Sequence, residues 1–240
     1  MVDDALPRRR FLLGAGLAGA TVASGLGGAA APAEAQTPAP QPAPAAHPEP
    51  ETYLTLTATE VAFLSAMADT IIPADELSPS GTDCGVVTYI DRQLAGAYGA
   101  GSKVYRSGPF QRGKPEQGYQ LALTPREYFA AGIVAANAWS HKTYGKDFDR
   151  LAPADRVTAL KAMEDGKAVF DNFDAKAFFG QLHGITMAGF FADPIYGGNR
   201  DMVAWKLIGF PGLPATYADK IDAFRDKRYV ADPQSIADFS

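Results

Sequence analysis

Thr57-Ala58-Thr59-Glu60-Val61-Ala62-Phe63-Leu64-Ser65-Ala66-Met67-Ala68-Asp69-Thr70-Ile71-Ile72-Pro73 opens on Thr-x-x-Glu and closes on proline. The opening four residues are a capping box, in which the threonine hydroxyl and the glutamate carboxylate satisfy amides that a helix start leaves unpaired. Val61, Leu64, Ala68 and Ile71 then recur at helical spacing, and Pro73 cannot continue the helix. The same grammar repeats downstream. Val86, Val87, Ile90 and Leu94 form a second stripe that ends near Gly96. Thr124-Pro125-Arg126-Glu127 adds proline at the first helical position, and Phe129, Ile133, Ala136 and Trp139 carry that helix to about Tyr144. Pro153 opens a shorter helix through Val157, Leu160 and Met163. Phe178, Phe179, Leu182, Ile185 and Phe190 mark a strongly apolar one, and Tyr217 to Phe224 reads as a last helix. No stretch alternates β-branched residues with period two, so the expected fold is an all-α, bundle-like domain. Gly101 to Leu123 interrupts it as a long irregular loop rich in glycine and proline, of a size more often functional than merely connecting.

Upstream, the composition changes twice. Residues 1–35 read as a twin-arginine export signal: Arg8, Arg9 and Arg10, an apolar Gly/Ala-rich stretch from Phe11 to about Ala31, and the small-x-small sequence Ala33-Glu34-Ala35. Residues 36–51 place Pro38, Pro40, Pro42, Pro44, Pro48 and Pro50 at near-alternate positions, an extended tether that cannot build a core. The expected domain is residues 52–240. Cleavage after Ala35 leaves 205 residues, enough for one real core. The net charge of −5 gives no electrostatic reason to bind nucleic acid.

Much chemistry is missing from the sequence. Gly14-Ala15-Gly16-Leu17-Ala18-Gly19 matches a dinucleotide-binding pattern, but it sits in the leader with no strand–helix unit around it. Cys84 is the one cysteine, which excludes attached haem and iron–sulfur clusters from this chain alone and permits either a buried thiol or an interchain disulfide. His47, His141 and His183 are too scattered to suggest a metal site. Asp69, Asp91 and Glu164 fit solvated helix faces as well as any acid/base role.

What stands out is Asp193-Pro194-Ile195-Tyr196-Gly197-Gly198-Asn199-Arg200, followed by Trp205-Lys206-Leu207-Ile208-Gly209-Phe210-Pro211-Gly212. Asp-Pro and Gly-Gly-Asn require a tight turn. Asn199 is placed to cap a short helix, and the amides at Gly197 and Gly198 to form an anion nest. The favoured reading is a structural turn that fixes Tyr196 and Trp205 at a surface as anchors for a protein partner, with Gly197, Gly198 and Asn199 shaping it.

With these residues the chain resembles the gluconate 2-dehydrogenase subunit 3 family. The resemblance rests on the twin-arginine leader, on Phe63-Leu64 with Ala68 to Pro73, on Tyr89-Ile90-Asp91, and on the Asp193 to Asn199 block with Trp205 and Gly212. It implies the non-catalytic small subunit of a gluconate 2-dehydrogenase. The partners it implies are an FAD-binding large subunit that oxidises D-gluconate to 2-dehydro-D-gluconate and a multihaem cytochrome c subunit that passes electrons to quinone. It further implies export with the flavoprotein by the twin-arginine machinery to the periplasm, association with the inner membrane through the complex, and no catalytic, cofactor or metal residue in this chain. Two alternatives stand beside it: a subunit of a related fructose, sorbitol or glucose dehydrogenase, and an autonomous exported enzyme or ligand-binding domain using the Tyr196–Arg200 turn and His183.

Overall fold

The structure is a computed structural model that describes residues 52–239 apart from 112, 115, 116 and 215. The export signal with Arg8 and Arg9, the Gly14–Gly19 pattern and the proline tether with His47 lie outside the described residues. Those that are described fold as α-helices and short 3₁₀ turns without strands, so the fold is all-α.

Helix α1, Ala58–Ile71, begins as its sequence dictates: Glu60 N–H donates to the Thr57 hydroxyl and Thr57 N–H to the Glu60 carboxylate. It buries Phe63, Leu64, Ala66, Met67 and Ala68, and it touches all four of the other long helices: α2 (Val86–Ala95), α3 (Pro125–Tyr144), α4 (Pro153–Glu164) and α5 (Ala175–Phe190). A helix apolar on more than one side belongs at the centre of a bundle rather than on its skin. Helix α3 carries the second capping box, Thr124 with Glu127, and stops at Gly145 in the left-handed region. Asp174 caps α5 by accepting from Ala177 N–H at 2.9 Å.

Phe178 is the hub of the core. Its ring centroid lies within 5.7–6.5 Å of the rings of Phe63, Tyr128, Phe129, Phe170 and Phe173. Gly132 makes this possible, because a Cβ there would sit 2.2 Å from the Phe178 ring. Tertiary packing of this kind, more than helix propensity, holds such helices in place.

The described residues of the Gly101–Leu123 excursion form turns and irregular backbone, as its composition predicts. Tyr119 ties it down, stacking on Tyr128 at 4.0 Å with the rings 9° from parallel and donating its hydroxyl to the Leu123 carbonyl. The expected last helix fails. Residues 217–226 form a 3₁₀ turn, Ala218–Lys220, followed by further turns, with Ile221 63% exposed. With no core beneath it to bury its apolar side chains, that pattern does not propagate as an α-helix.

Candidate functional site

The Asp193–Gly212 block folds as three short pieces: 3₁₀ turns at Pro194–Tyr196 and Arg200–Met202, then helix α6, Val203–Ile208. Asp193 starts the first by accepting from Ile195 N–H at 3.0 Å. Asn199, left-handed at φ 45° and fully buried, is the internal brace. Its amide donates to the Ala192 carbonyl at 2.9 Å, and its side-chain oxygen accepts from Ala204 N–H at 2.8 Å in the first turn of α6. Asn199 makes no side-chain cap bond to the Arg200–Met202 turn that follows it; it braces the first turn of α6 from five residues upstream.

The paired glycines serve close packing. A Cβ on Gly198 would lie 2.1 Å from the Gly189 carbonyl oxygen at the end of α5, and one on Gly85 would lie 2.3 Å from the Gly197 carbonyl. Gly85 is itself left-handed at the start of α2, and Arg200 N–H donates to the Cys84 carbonyl. The turn is thus seated backbone-on-backbone between α2 and α5. Gly197 N–H is committed to the Pro194 carbonyl, so the nest reading finds no support in that amide. Asp193 also reaches beyond its own turn. Its other oxygen accepts from Ile236 N–H at 2.9 Å, and Gln234 pairs with the backbone around Gly212, which docks the C-terminal segment against the turn.

The five residues of the expected partner surface divide on burial. Tyr196 is 49% exposed and Gly197 half-buried, whereas Gly198, Asn199 and Trp205 are buried. Trp205 is corrected: its indole N–H donates to the Phe191 carbonyl and its ring packs edge-on against Phe210 and beneath Gly212. It supports the surface from inside. Cys84 takes the first of its two expected readings, the buried thiol. It is 1% exposed, its thiol faces the Pro79 carbonyl at 3.7 Å, and burial, with Asp83, Asp201 and Asp69 nearby, pushes it up to about 11. A neutral, enclosed thiol is a poor partner for a disulfide to another chain.

A second constellation, which the sequence pattern does not reveal, stands at the entry to the domain. Asp91 is not on a solvated face; it is 2% exposed and accepts from the backbone N–H groups of Leu54, Thr55 and Leu56 at 2.6, 3.0 and 3.0 Å. Arg126 grips Glu60 through two hydrogen bonds and the Thr55 carbonyl and hydroxyl through two more. Burial pushes the Glu60 carboxyl up, but its bonds to Arg126 and Thr57 outweigh that and hold it below its ordinary range. Residues 54–57 are thereby fastened to α1, α2 and α3 together. Asp69 accepts from Thr82 N–H, whereas Glu164 is exposed.

His141 is exposed beside Asp147, and His183 is half-buried against Phe179, with no hydrogen bond to the Tyr196–Arg200 turn among the described residues. Among those residues no three His, Cys, Asp or Glu side chains converge as metal ligands. None of their helices is long and apolar enough to cross a membrane.

Fold and site together define a helical domain whose most heavily braced feature is a shaped surface turn. The chain belongs to the gluconate 2-dehydrogenase subunit 3 family, whose family model matches residues 58–212, from the first residue of α1 to the glycine that closes the turn block. Comparison with curated proteins and with solved structures finds no match. Family membership makes this a subunit of a dehydrogenase complex.

Proposed function

We propose that this chain is the non-catalytic small subunit of an FAD-dependent gluconate 2-dehydrogenase. In this reading it stabilises the flavoprotein and carries it outward by twin-arginine export, while FAD and haem c reside in the partner subunits. The family match over residues 58–212 carries the reading. The Arg8-Arg9 leader supports the export half of it. The complex oxidises D-gluconate at the flavin and passes electrons through cytochrome c to quinone, with this subunit facing the periplasm. Substituting Arg8 and Arg9 together by lysine is expected to strand both this chain and the flavoprotein in the cytoplasm. Normal periplasmic flavoprotein in that strain overturns the carrier role.

A further inference from the structure

Helices α2 and α5 pack together and leave between them a cavity of about 290 Å³ that opens to solvent along α5. Tyr89 and Gln93 line it from α2, Tyr98 from the turn that follows, and Gln181 from α5. The backbone explains this convergence. Tyr89 and Gln93 stand four residues apart, on one face of their helix. Gly99 N–H donates to the Gln93 carbonyl at 3.1 Å, and a Cβ on Gly99 would run into the Leu94 carbonyl, so the close turn folds Tyr98 back over the helix end. The Tyr89 ring lies against Gly189 of α5, where a Cβ would come within 2.9 Å of it. Gly180 and Gly184 form the α5 wall, and a Cβ on either would meet nothing within 4 Å. Missing side chains keep that space open.

None of the four polar side chains makes a hydrogen bond to the protein among the described residues, and none of their polar atoms is sealed from solvent. Burial, with Tyr196 near Tyr89 and Tyr89 near Tyr98, pushes both phenols up, so each stays a neutral donor at physiological pH. No charged side chain lines the cavity.

We propose that this cavity binds one neutral, polyhydroxylated ring of monosaccharide size. The site goes beyond the subunit role and does not depend on it. Each phenol and carboxamide here can both donate and accept, as a sugar hydroxyl does, so four such groups match a ring with hydroxyls on its edge. The tyrosine rings add apolar faces for the C–H side of the same ligand. Small-molecule sites span roughly 300–1,000 Å³, and this cavity lies at the lower edge of that range, with room for one ring and not for a dinucleotide. A carboxylate entering it would lose its water with no cation to receive it. The cavity therefore selects a neutral sugar over a sugar acid.

The test is calorimetric titration of the purified full-length chain with D-glucose, D-gluconate and a water-soluble benzoquinone. Four chains are compared: wild type, Gly184→Leu, Gln181→Leu, and Glu164→Gln on α4 as a control. Wild type and the control are expected to bind D-glucose with a dissociation constant of roughly 1–10 mM, and D-gluconate at least about tenfold more weakly. Gly184→Leu fills the cavity and is expected to abolish binding without lowering the thermal midpoint, because its Cβ has free space. Gln181→Leu removes one carboxamide and is expected to weaken binding about tenfold; it carries the test if Gly184→Leu fails to fold. No D-glucose binding by wild type, or equal binding by all four chains, overturns the proposal. D-Gluconate bound as tightly as D-glucose overturns the neutral selection on which it rests. Binding of the benzoquinone without either sugar assigns the cavity to a planar ligand and also overturns it. None of these outcomes bears on the subunit role.

Discussion

Arg126 of α3 holds both carboxylate oxygens of Glu60 in α1, at 2.6 and 2.8 Å, and the same guanidinium reaches Thr55 in the segment that enters the domain. Glu60 also completes the capping box of α1. One ion pair therefore joins two helix starts and the chain entry.

Removing Arg126 leaves a largely buried carboxylate without its partner, which costs about 2–4 kcal/mol. Arg126→Met is expected to lower the thermal midpoint by roughly 5–15 °C, whereas Glu127→Gln, at an exposed carboxylate, is expected to shift it far less. The pH dependence follows from the sign of the shift. Glu60 titrates lower folded than unfolded, so its contribution is complete above the ordinary value of 4.5 and disappears as pH falls through the depressed folded value. Urea titrations between neutral and strongly acidic pH should show wild type losing more stability than Arg126→Met below that value. Parallel losses contradict the assignment.

Asp91 makes a separable prediction. An asparagine keeps one acceptor oxygen where the carboxylate serves three amides, so Asp91→Asn is expected to cost about 1.5–3 kcal/mol. Hydrogen exchange at Leu54, Thr55 and Leu56 should accelerate while the amides of α5 stay protected.

The glycines sort into two kinds. Gly198→Ala and Gly85→Ala place a methyl at 2.1 and 2.3 Å from a carbonyl oxygen and are expected to cost about 2–4 kcal/mol or to prevent folding. Gly184 in α5 has nothing within 4 Å of its would-be Cβ, so Gly184→Ala should raise stability by roughly 0.5–1 kcal/mol. Thermal melts of the three variants read the contrast directly.

Cys84 should resist alkylation at neutral pH until the chain unfolds, because its thiol is buried and its pKa is pushed up to about 11. Rapid labelling of the native chain, or a disulfide-linked partner on a non-reducing gel, contradicts the observed burial.

Much of the fold was legible because its helices announce themselves locally. Thr57 with Glu60, Thr124 with Glu127, and Pro153 mark helix starts within four residues of sequence, and each such helix has apolar positions to bury. Tyr217 to Phe224 shows the same periodicity without a core to receive it, and spacing alone does not reveal whether a core is there. At the site, Asp-Pro and Gly-Gly-Asn announced a turn, and the brace at Asn199 followed. What spacing could not give was which side of the turn faces inward. Trp205 points in because Phe191, fourteen residues away, offers its carbonyl. The Asp91 clamp was invisible for the same reason: its three donors lie 35 to 37 residues upstream in a segment with no regular structure.

In the proposed function this chain holds a flavin-loaded partner and carries no redox chemistry itself. The most direct measurement isolates the tagged chain with its partners from the native host, separates the subunits, and assays each for bound flavin and for gluconate oxidation. Flavin and turnover are expected to travel wholly with the larger partner, recovered in fixed ratio to this chain. A bound redox centre or gluconate oxidation in the separated small chain would contradict the claim.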